Sequence, residues 1–177
     1  MPALYHTAFS TSLGWMRPVS DGTSLIRLDW EQSAPEQSPW NDDDQIDNVS
    51  RETKMQILQY LAGNRRDFDL PLAPEGKTAS GCDWLTAMAR IPYGQTVSYK
   101  EFAALAGKPS APRAAGSACA RNPIPIIYPC HRVLRSGGSL GNYGGGDMTS
   151  PKDPANLGRK DWLIKLEKYN VRGNIQS

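Results

Sequence analysis

The chain contains no apolar run of the ~18 residues that a membrane-spanning helix requires. Its opening stretch, MPALYHTAFSTSLGW, has neither the basic start nor the apolar core of a signal peptide. Both absences predict an intracellular protein, cytoplasmic in a bacterium or nuclear in a eukaryote, with no membrane partner. Cysteine is scarce: Cys82, Cys119 and Cys130 are odd in number, far apart and form no CxxC pair, which argues against a disulfide framework or a zinc knuckle. Histidine is scarcer still. Only His6 and His131 are present, and because a lone histidine is a poor start for a metal site, none is expected. An excess of one charge sign is missing too: 20 basic against 18 acidic side chains leave a net charge of +2, too little to argue for nucleic acid unless the basic groups cluster. What is present is an ordinary globular composition, 39% hydrophobic and 21% charged over 177 residues, enough for one domain or two small ones.

The first third reads as strands. LYHTAF and LGWMRPV precede SLIRLDW, and Asp21-Gly22 supplies the turn dipeptide of a tight hairpin. SAPEQSPWNDDDQ, with two prolines and three consecutive aspartates, predicts a solvated loop. Ser50 then suits the N-cap of a helix with Met55, Leu58, Leu61 and Ala62 on its apolar face, closed by Gly63. The Pro-rich NRRDFDLPLAPEGK is the expected boundary between an N-terminal domain of residues 1–78 and a C-terminal domain of residues 79–177. Beyond it, Cys82, Leu85, Met88 and Ala89 mark one helix face, which predicts Cys82 in the core. Ser98 and Glu101 form a capping pair before KEFAALAG, and RAAGSACARN makes a second short helix that Asn122-Pro123 ends. Two short helices joined tightly fit a helix-turn-helix or an ordinary helical hairpin. The small residues Ala114, Ala115, Gly116, Ser117 and Ala118 suit close approach to a groove and close internal packing equally well.

IIYPCHRVLRSGG places Cys130 beside His131, after Pro129. A thiol needs a base or cation to become a nucleophile. Residues adjacent on a strand face opposite ways, so the pair can act together only if the chain bends at Pro129. Taken alone, a buried structural cysteine is the commoner reading.

NPIPIIYPCHRVLRSGGSLGNYGGG following RAAGSACAR resembles the signature of the O6-alkylguanine-DNA alkyltransferases, the methylated-DNA–protein-cysteine methyltransferase family. The resemblance extends back through IPYGQTVSYKEFAALAG and forward to KDWLIKLE, while LGWMRPVSDGTSLIRLDW and YLAGNRRDFDLPL resemble the family's N-terminal part. It implies an α+β fold: a small ribonuclease-H-like β-sheet domain followed by a mostly helical domain containing a helix-turn-helix. It implies direct-reversal DNA repair, in which Cys130 irreversibly takes the alkyl group of O6-alkylguanine, and of O4-alkylthymine, in double-stranded DNA. No cofactor is implied.

By the same resemblance His131 is the base, acting through water, and Glu167 orients it. Tyr99 presses on the phosphate of the flipped nucleotide and helps protonate the leaving guanine, and Arg113 fills the gap in the duplex. Ala114 and Ser117 belong to the helix in the minor groove, and Arg135 and Ser136 are further DNA contacts. Asn122 braces the active-site turn, and Val133, Tyr143, Gly144 and Cys119 line the base pocket. Family members are monomers, some binding DNA cooperatively.

Several positions depart from the family pattern. Cys119 replaces a frequent methionine, Leu166 a frequent histidine, and GDMTSPKDPANLGRK lengthens the connection before Trp162, which predicts a surface loop over residues 147–159 able to gate alkyl size or touch DNA. Two rival readings of the residues are a lesion-binding module that transfers nothing, disfavoured because Cys130 is present, and a cysteine hydrolase, which leaves Tyr99 and Arg113 without a role.

Overall fold

The computed structural model describes residues 3–31, 45–141, 143 and 153–176. The acidic segment expected as a loop, the internal part of the lengthened connection and Gly144 lie outside them.

Seven strand residues, Gly14–Ser20 (β3), form the axis of the N-terminal sheet. Along one edge lie Tyr5–His6 (β1) and Phe9–Thr11 (β2), end to end and antiparallel to it, and along the other runs Leu25–Glu31 (β4). The β3–β4 connection is longer than the two-residue hairpin expected from Asp21-Gly22. Ser20 pairs with Leu25, the Asp21 carboxylate accepts from the amides of Thr23 and Ser24, and only Gly22 takes a positive φ, 96°. An aspartate that folds its own loop onto itself favours this wider turn.

Helix α1, Asn48–Leu61, packs on the sheet. Its N-cap is Asp47, not Ser50: Ser50 sits at the third position, where its hydroxyl and the Asp47 side chain cap each other's backbone amides. The buried face is also rotated from the expected one, for Met55 and Leu58 are exposed while Thr53, Gln56, Ile57 and Tyr60 are buried. Polar residues can occupy that face because their groups are satisfied. Thr53 donates to the Val49 carbonyl, and Gln56 exchanges two hydrogen bonds with the backbone of Asp69.

Residues 71–75 run alongside β4, with hydrogen bonds to Leu25 and Ile26, and lead to helix α2, Ala79–Ala89, capped by Thr78. Trp84, Leu85, Ala87 and Met88 form its buried face, and Cys82 is exposed, contrary to the core position expected for it. Cys82 lies about 200° around the helix from Trp84, and the bulk of the tryptophan decides which side turns inward.

Val97–Ser98 (β5) leads into Tyr99–Leu105 (α3), where Ser98 and Glu101 form the expected capping box, and Pro112–Ala120 (α4) follows. A 3₁₀ turn over Cys130–Arg132 runs into Val133–Leu134 (β6), which pairs in parallel with β5. The last element, α5, spans Pro154–Gln176. It corrects the loop expected over residues 147–159, since residues 154–159 are already helical. Asp153 accepts the Ala155 amide and Pro154 opens the first turn, so the residues read as turn formers are a helix start. Among the described residues no helix is long and apolar enough to cross a membrane. One continuous apolar core joins sheet, α1 and the C-terminal helices.

Candidate active site and nucleic-acid face

Pro129 leaves the chain at ψ 67°, and Cys130, His131 and Arg132 then form one 3₁₀ turn instead of a strand. The bend the sequence required is therefore present, and Cys130 and His131 do not sit on opposite faces of a sheet. The approach to the turn is strained: Ile126, a β-branched residue, has φ 72°, a region that such side chains seldom enter. Asn122 holds this loop from within. Its amide donates to the Tyr128 carbonyl at 2.7 Å and to the Met88 sulfur at 3.8 Å, and its oxygen accepts the Ile124 amide at 3.0 Å.

Behind the turn lies a buried polar network centred on Glu167. The resemblance had singled out this residue as the one that orients His131. Because α5 runs to Gln176, Glu167 is in mid-helix, facing inward and 1% exposed. Its carboxylate is 2.6 Å from His131 Nε2, accepts from Arg132 Nε at 2.9 Å and Nη2 at 3.1 Å, from the Tyr60 hydroxyl at 2.5 Å and from the Gly94 amide at 3.0 Å. A fully satisfied carboxylate of this kind stays ionised. Burial opposes this, but His131 and Arg132 outweigh it and hold Glu167 well below the usual carboxylate range. Burial pushes His131 below its ordinary value, and Arg132 and Lys160 add to that push against the pull of Glu167. His131 is thus neutral, donates from Nε2 to Glu167, and keeps Nδ1 as a buried acceptor with no protein partner. That nitrogen keeps a lone pair able to take a proton. Burial also raises the Cys130 thiol, while Asn122 and Lys160 pull it down.

These shifts give a sign for acid stability. A histidine whose folded pKa is depressed and a carboxylate whose folded pKa is depressed both leave the unfolded chain holding more protons. The contribution from His131 is complete above about pH 6.5 and declines below it, and that of Glu167 declines below about pH 4.3. The urea midpoint is therefore expected to fall between pH 7 and pH 5, with a shallower fall in His131→Gln.

Several of the other predicted residues share a surface cleft. The two-residue β5–β6 ladder fixes Ser98 against Leu134, and so places Tyr99, at the start of α3, next to the strand that leaves Cys130–Arg132. Tyr99, Arg113, Gly116, Ser117, Ala120 and Arg135 share one open cleft of about 440 Å³. Helix α4 turns Ala115 and Cys119 inward and presents Arg113, Ala114, Ser117 and Arg121 to solvent. Pro112 stands in its first turn, as expected. Ser136 is exposed in the turn after β6, and Val133 and Tyr143 are buried. Cys130 itself is 1% exposed and does not line the cleft.

Three residues of the site were not anticipated. Tyr60 reaches it from α1, across the boundary drawn between the two halves of the chain. Arg132 stands inside the quoted PCHRV motif, and a charge amid an apolar run was the available signal. Lys160, 0% exposed, belongs to the stretch read as a loop. Among the described residues no cluster could hold a metal ion.

Comparison with known proteins gives a consistent result. Residues 4–74 match the family model for the 6-O-methylguanine DNA methyltransferase ribonuclease-like domain, and residues 83–169 the model for its DNA binding domain. A methylated-DNA–protein-cysteine methyltransferase of Haemophilus influenzae is 34% identical over 95% of this chain and 88% of its own. One from Methanosarcina barkeri is 46% identical over 69% of this chain and 70% of its own. The crystal structure of Mycobacterium tuberculosis O6-methylguanine methyltransferase superposes with a TM-score of 0.77 at 32% identity, covering 95% of this chain and 94% of that one. The M. tuberculosis protein in complex with DNA superposes with a TM-score of 0.76 at 30% identity, covering 94% of each chain.

Proposed function

Since the chain belongs to the methylated-DNA–protein-cysteine methyltransferase family, we propose that it repairs DNA by moving an alkyl group from O6-alkylguanine, and O4-alkylthymine, to Cys130. The observation that carries this reading is the free Nδ1 of His131 on the same 3₁₀ turn as Cys130, with its other nitrogen fixed by Glu167. In this reading His131 Nδ1 takes the thiol proton through water. The sulfur attacks the alkyl carbon, a carbon–sulfur bond forms as the carbon–oxygen bond breaks, and the guanine leaves as an anion that Tyr99 helps protonate. A thioether has no hydrolytic route back, so each molecule acts once.

The substrate atom is stacked inside a duplex, so the nucleotide must first be flipped out. The exposed, low-relief face of α4 supports docking in a minor groove, which admits little bulk. Arg113 then fills the vacated stack. Ser117, Arg135 and Ser136 contact the strands, and Val133, Tyr143 and Cys119 surround the base. A single copy suffices, because all of these groups belong to one chain.

Incubation with duplex DNA carrying isotopically labelled O6-methylguanine tests the proposal. One label per protein molecule, located on Cys130 and absent in Cys130→Ser, is expected. Repeated turnover would point to a hydrolase, and tight binding without label to a lesion-recognition module.

A further inference from the structure

Packing accounts for the ring of Tyr60 but not for its hydroxyl. The residue is 0% exposed, its ring tilted against Phe68 with centroids 5.5 Å apart and edge-on to Tyr93 at 6.1 Å and to His131 at 6.5 Å, contacts that a phenylalanine ring makes equally well. The hydroxyl goes to the Glu167–His131 pair: it donates to Glu167 Oε2 at 2.5 Å and lies 3.3 Å from His131 Nε2. Oε2 is also the oxygen 2.6 Å from His131 Nε2, whereas Oε1 faces Arg132 Nε and the Gly94 amide. Tyr60 and His131 therefore share one carboxylate oxygen, with Arg132 Nη2 as a longer third donor at 3.1 Å. The charged and titratable groups around this contact are Glu167 and Lys160 from α5, Arg132 in the turn itself and Tyr93 from the segment after α2. Tyr60 alone among them comes from residues 4–74, the part matched by the ribonuclease-like domain.

We propose that Tyr60 is a positioning residue for the transfer step: its hydroxyl occupies Glu167 Oε2 and so limits the pull of that oxygen on the Nε2 proton of His131, leaving Nδ1 a base until the thiol proton arrives. The inference rests on the reading of Cys130 as the alkyl acceptor. Its physical basis is the division of one acceptor between two donors. A carboxylate that already accepts a hydrogen bond from a phenol is a weaker base toward its other partners, and the imidazolium form of His131 gains less from it. Burial and the charge of Glu167 hold Tyr60 well above the ordinary tyrosine value, so it stays a donor at every pH at which the protein works. Removing the hydroxyl leaves Oε2 to His131 and Arg132. The imidazolium is then favoured, and a histidine already protonated at Nδ1 cannot take the thiol proton.

Tyr60→Phe keeps the ring and removes the hydroxyl, and two measurements on it test the proposal. One is single-turnover transfer from a duplex carrying labelled O6-methylguanine, followed from about pH 5 to about pH 8.5. The other is the titration of His131 by NMR of labelled histidine, with His131→Gln distinguishing its signal from that of His6. The His131 titration is expected to move upward by about one pH unit, and the transfer rate on the acid side to fall by the matching factor of about ten. Variant and wild type should converge to within about twofold at the alkaline end, where His131 is neutral in both. A rate reduced by one factor at every pH is what lost packing alone produces, and it overturns the proposal, as does an unmoved titration. Should Tyr60→Phe fail to fold, 3-fluorotyrosine in place of Tyr60, a stronger donor of nearly the same shape, must move the His131 titration downward, and the absence of that movement overturns the proposal. A wild type that transfers no label defeats the alkyl-acceptor reading, and the coupling of Tyr60 to His131 is then judged by the titration alone.

Discussion

Truncating Glu167 to alanine is expected to cost about 3–5 kcal/mol of folding stability, because a buried charge pair broken from one side leaves the other charge uncompensated. The stranded group is Arg132. It is 7% exposed, and without the carboxylate its guanidinium keeps a hydrogen bond from Nη1 to the Ile91 carbonyl and its place over the Tyr93 ring, 5.6 Å from the centroid. Neither neutralises it. The Tyr60 hydroxyl and the Gly94 amide lose their acceptor in the same step, so the loss spreads across α1, the segment after α2, and the turn that carries Cys130. Activity should fall further than stability. With Glu167 gone, the His131 tautomer that leaves Nδ1 free keeps only the longer contact of Nε2 with the Tyr60 hydroxyl, 3.3 Å, and general-base assistance is worth about 10²–10⁴-fold in rate. Urea unfolding and single-turnover label transfer check the two effects separately. Glu167→Gln should fall between the extremes: its amide keeps the volume and one acceptor oxygen but not the charge that holds Arg132. A stability change in Glu167→Ala within about 0.5 kcal/mol, the range of ordinary surface substitutions, would mean that the network carries no load.

The Glu167 network also shows where sequence reasoning reached and where it stopped. Ser98 with Glu101 was readable because a capping box is local, two residues three apart answering each other's backbone. Pro129 was readable for the same reason, as a residue that permits a bend. The α1 stripe was misplaced because apolar periodicity assumes that the buried face is apolar, and here Thr53 and Gln56 face inward with their hydrogen bonds met by Val49 and Asp69. Tyr60 was invisible for a deeper reason. It lies 107 residues from Glu167, and nothing local in an amphipathic helix says that one tyrosine will donate to a carboxylate in the other half of the chain. Lys160 was hidden by misreading Asp153-Pro154 as loop chemistry when it is a helix start. The family resemblance supplied Cys130, His131, Glu167, Tyr99 and Arg113 as a set; in the fold Cys130 and His131 share one turn with Glu167 behind it, while Tyr99 and Arg113 line a separate cleft. The neutral state of His131 and the link between the Cys130 turn and α1 could come only from packing.

Arg113→Ala is expected to slow methyl transfer from O6-methylguanine in duplex DNA by about 10²-fold while leaving transfer from free O6-benzylguanine within about twofold. The factor corresponds to about 2.7 kcal/mol. Extruding a nucleotide costs a few kcal/mol in lost stacking and pairing, and a guanidinium stacked in the gap returns about 1–3 kcal/mol, the value of one side-chain platform for a base. In the proposed reading Arg113 has this role. It is exposed in the first turn of α4, beside a proline that fixes that turn, and it lines the same cleft as Tyr99, Ser117 and Arg135. The free base needs no extrusion, so the Cys130, His131 and Glu167 machinery acts on it whatever side chain stands at position 113. A phosphate-binding lysine or arginine would behave differently, since its loss weakens binding to any duplex and flattens the salt dependence without changing saturated transfer. Arg113→Ala should therefore lower the transfer rate at saturating duplex and leave the salt slope nearly as it was. Equal slowing on duplex and free base would place Arg113 in the support of the pocket instead, and a lesion opposite an abasic gap, already unpaired, should recover most of the lost rate.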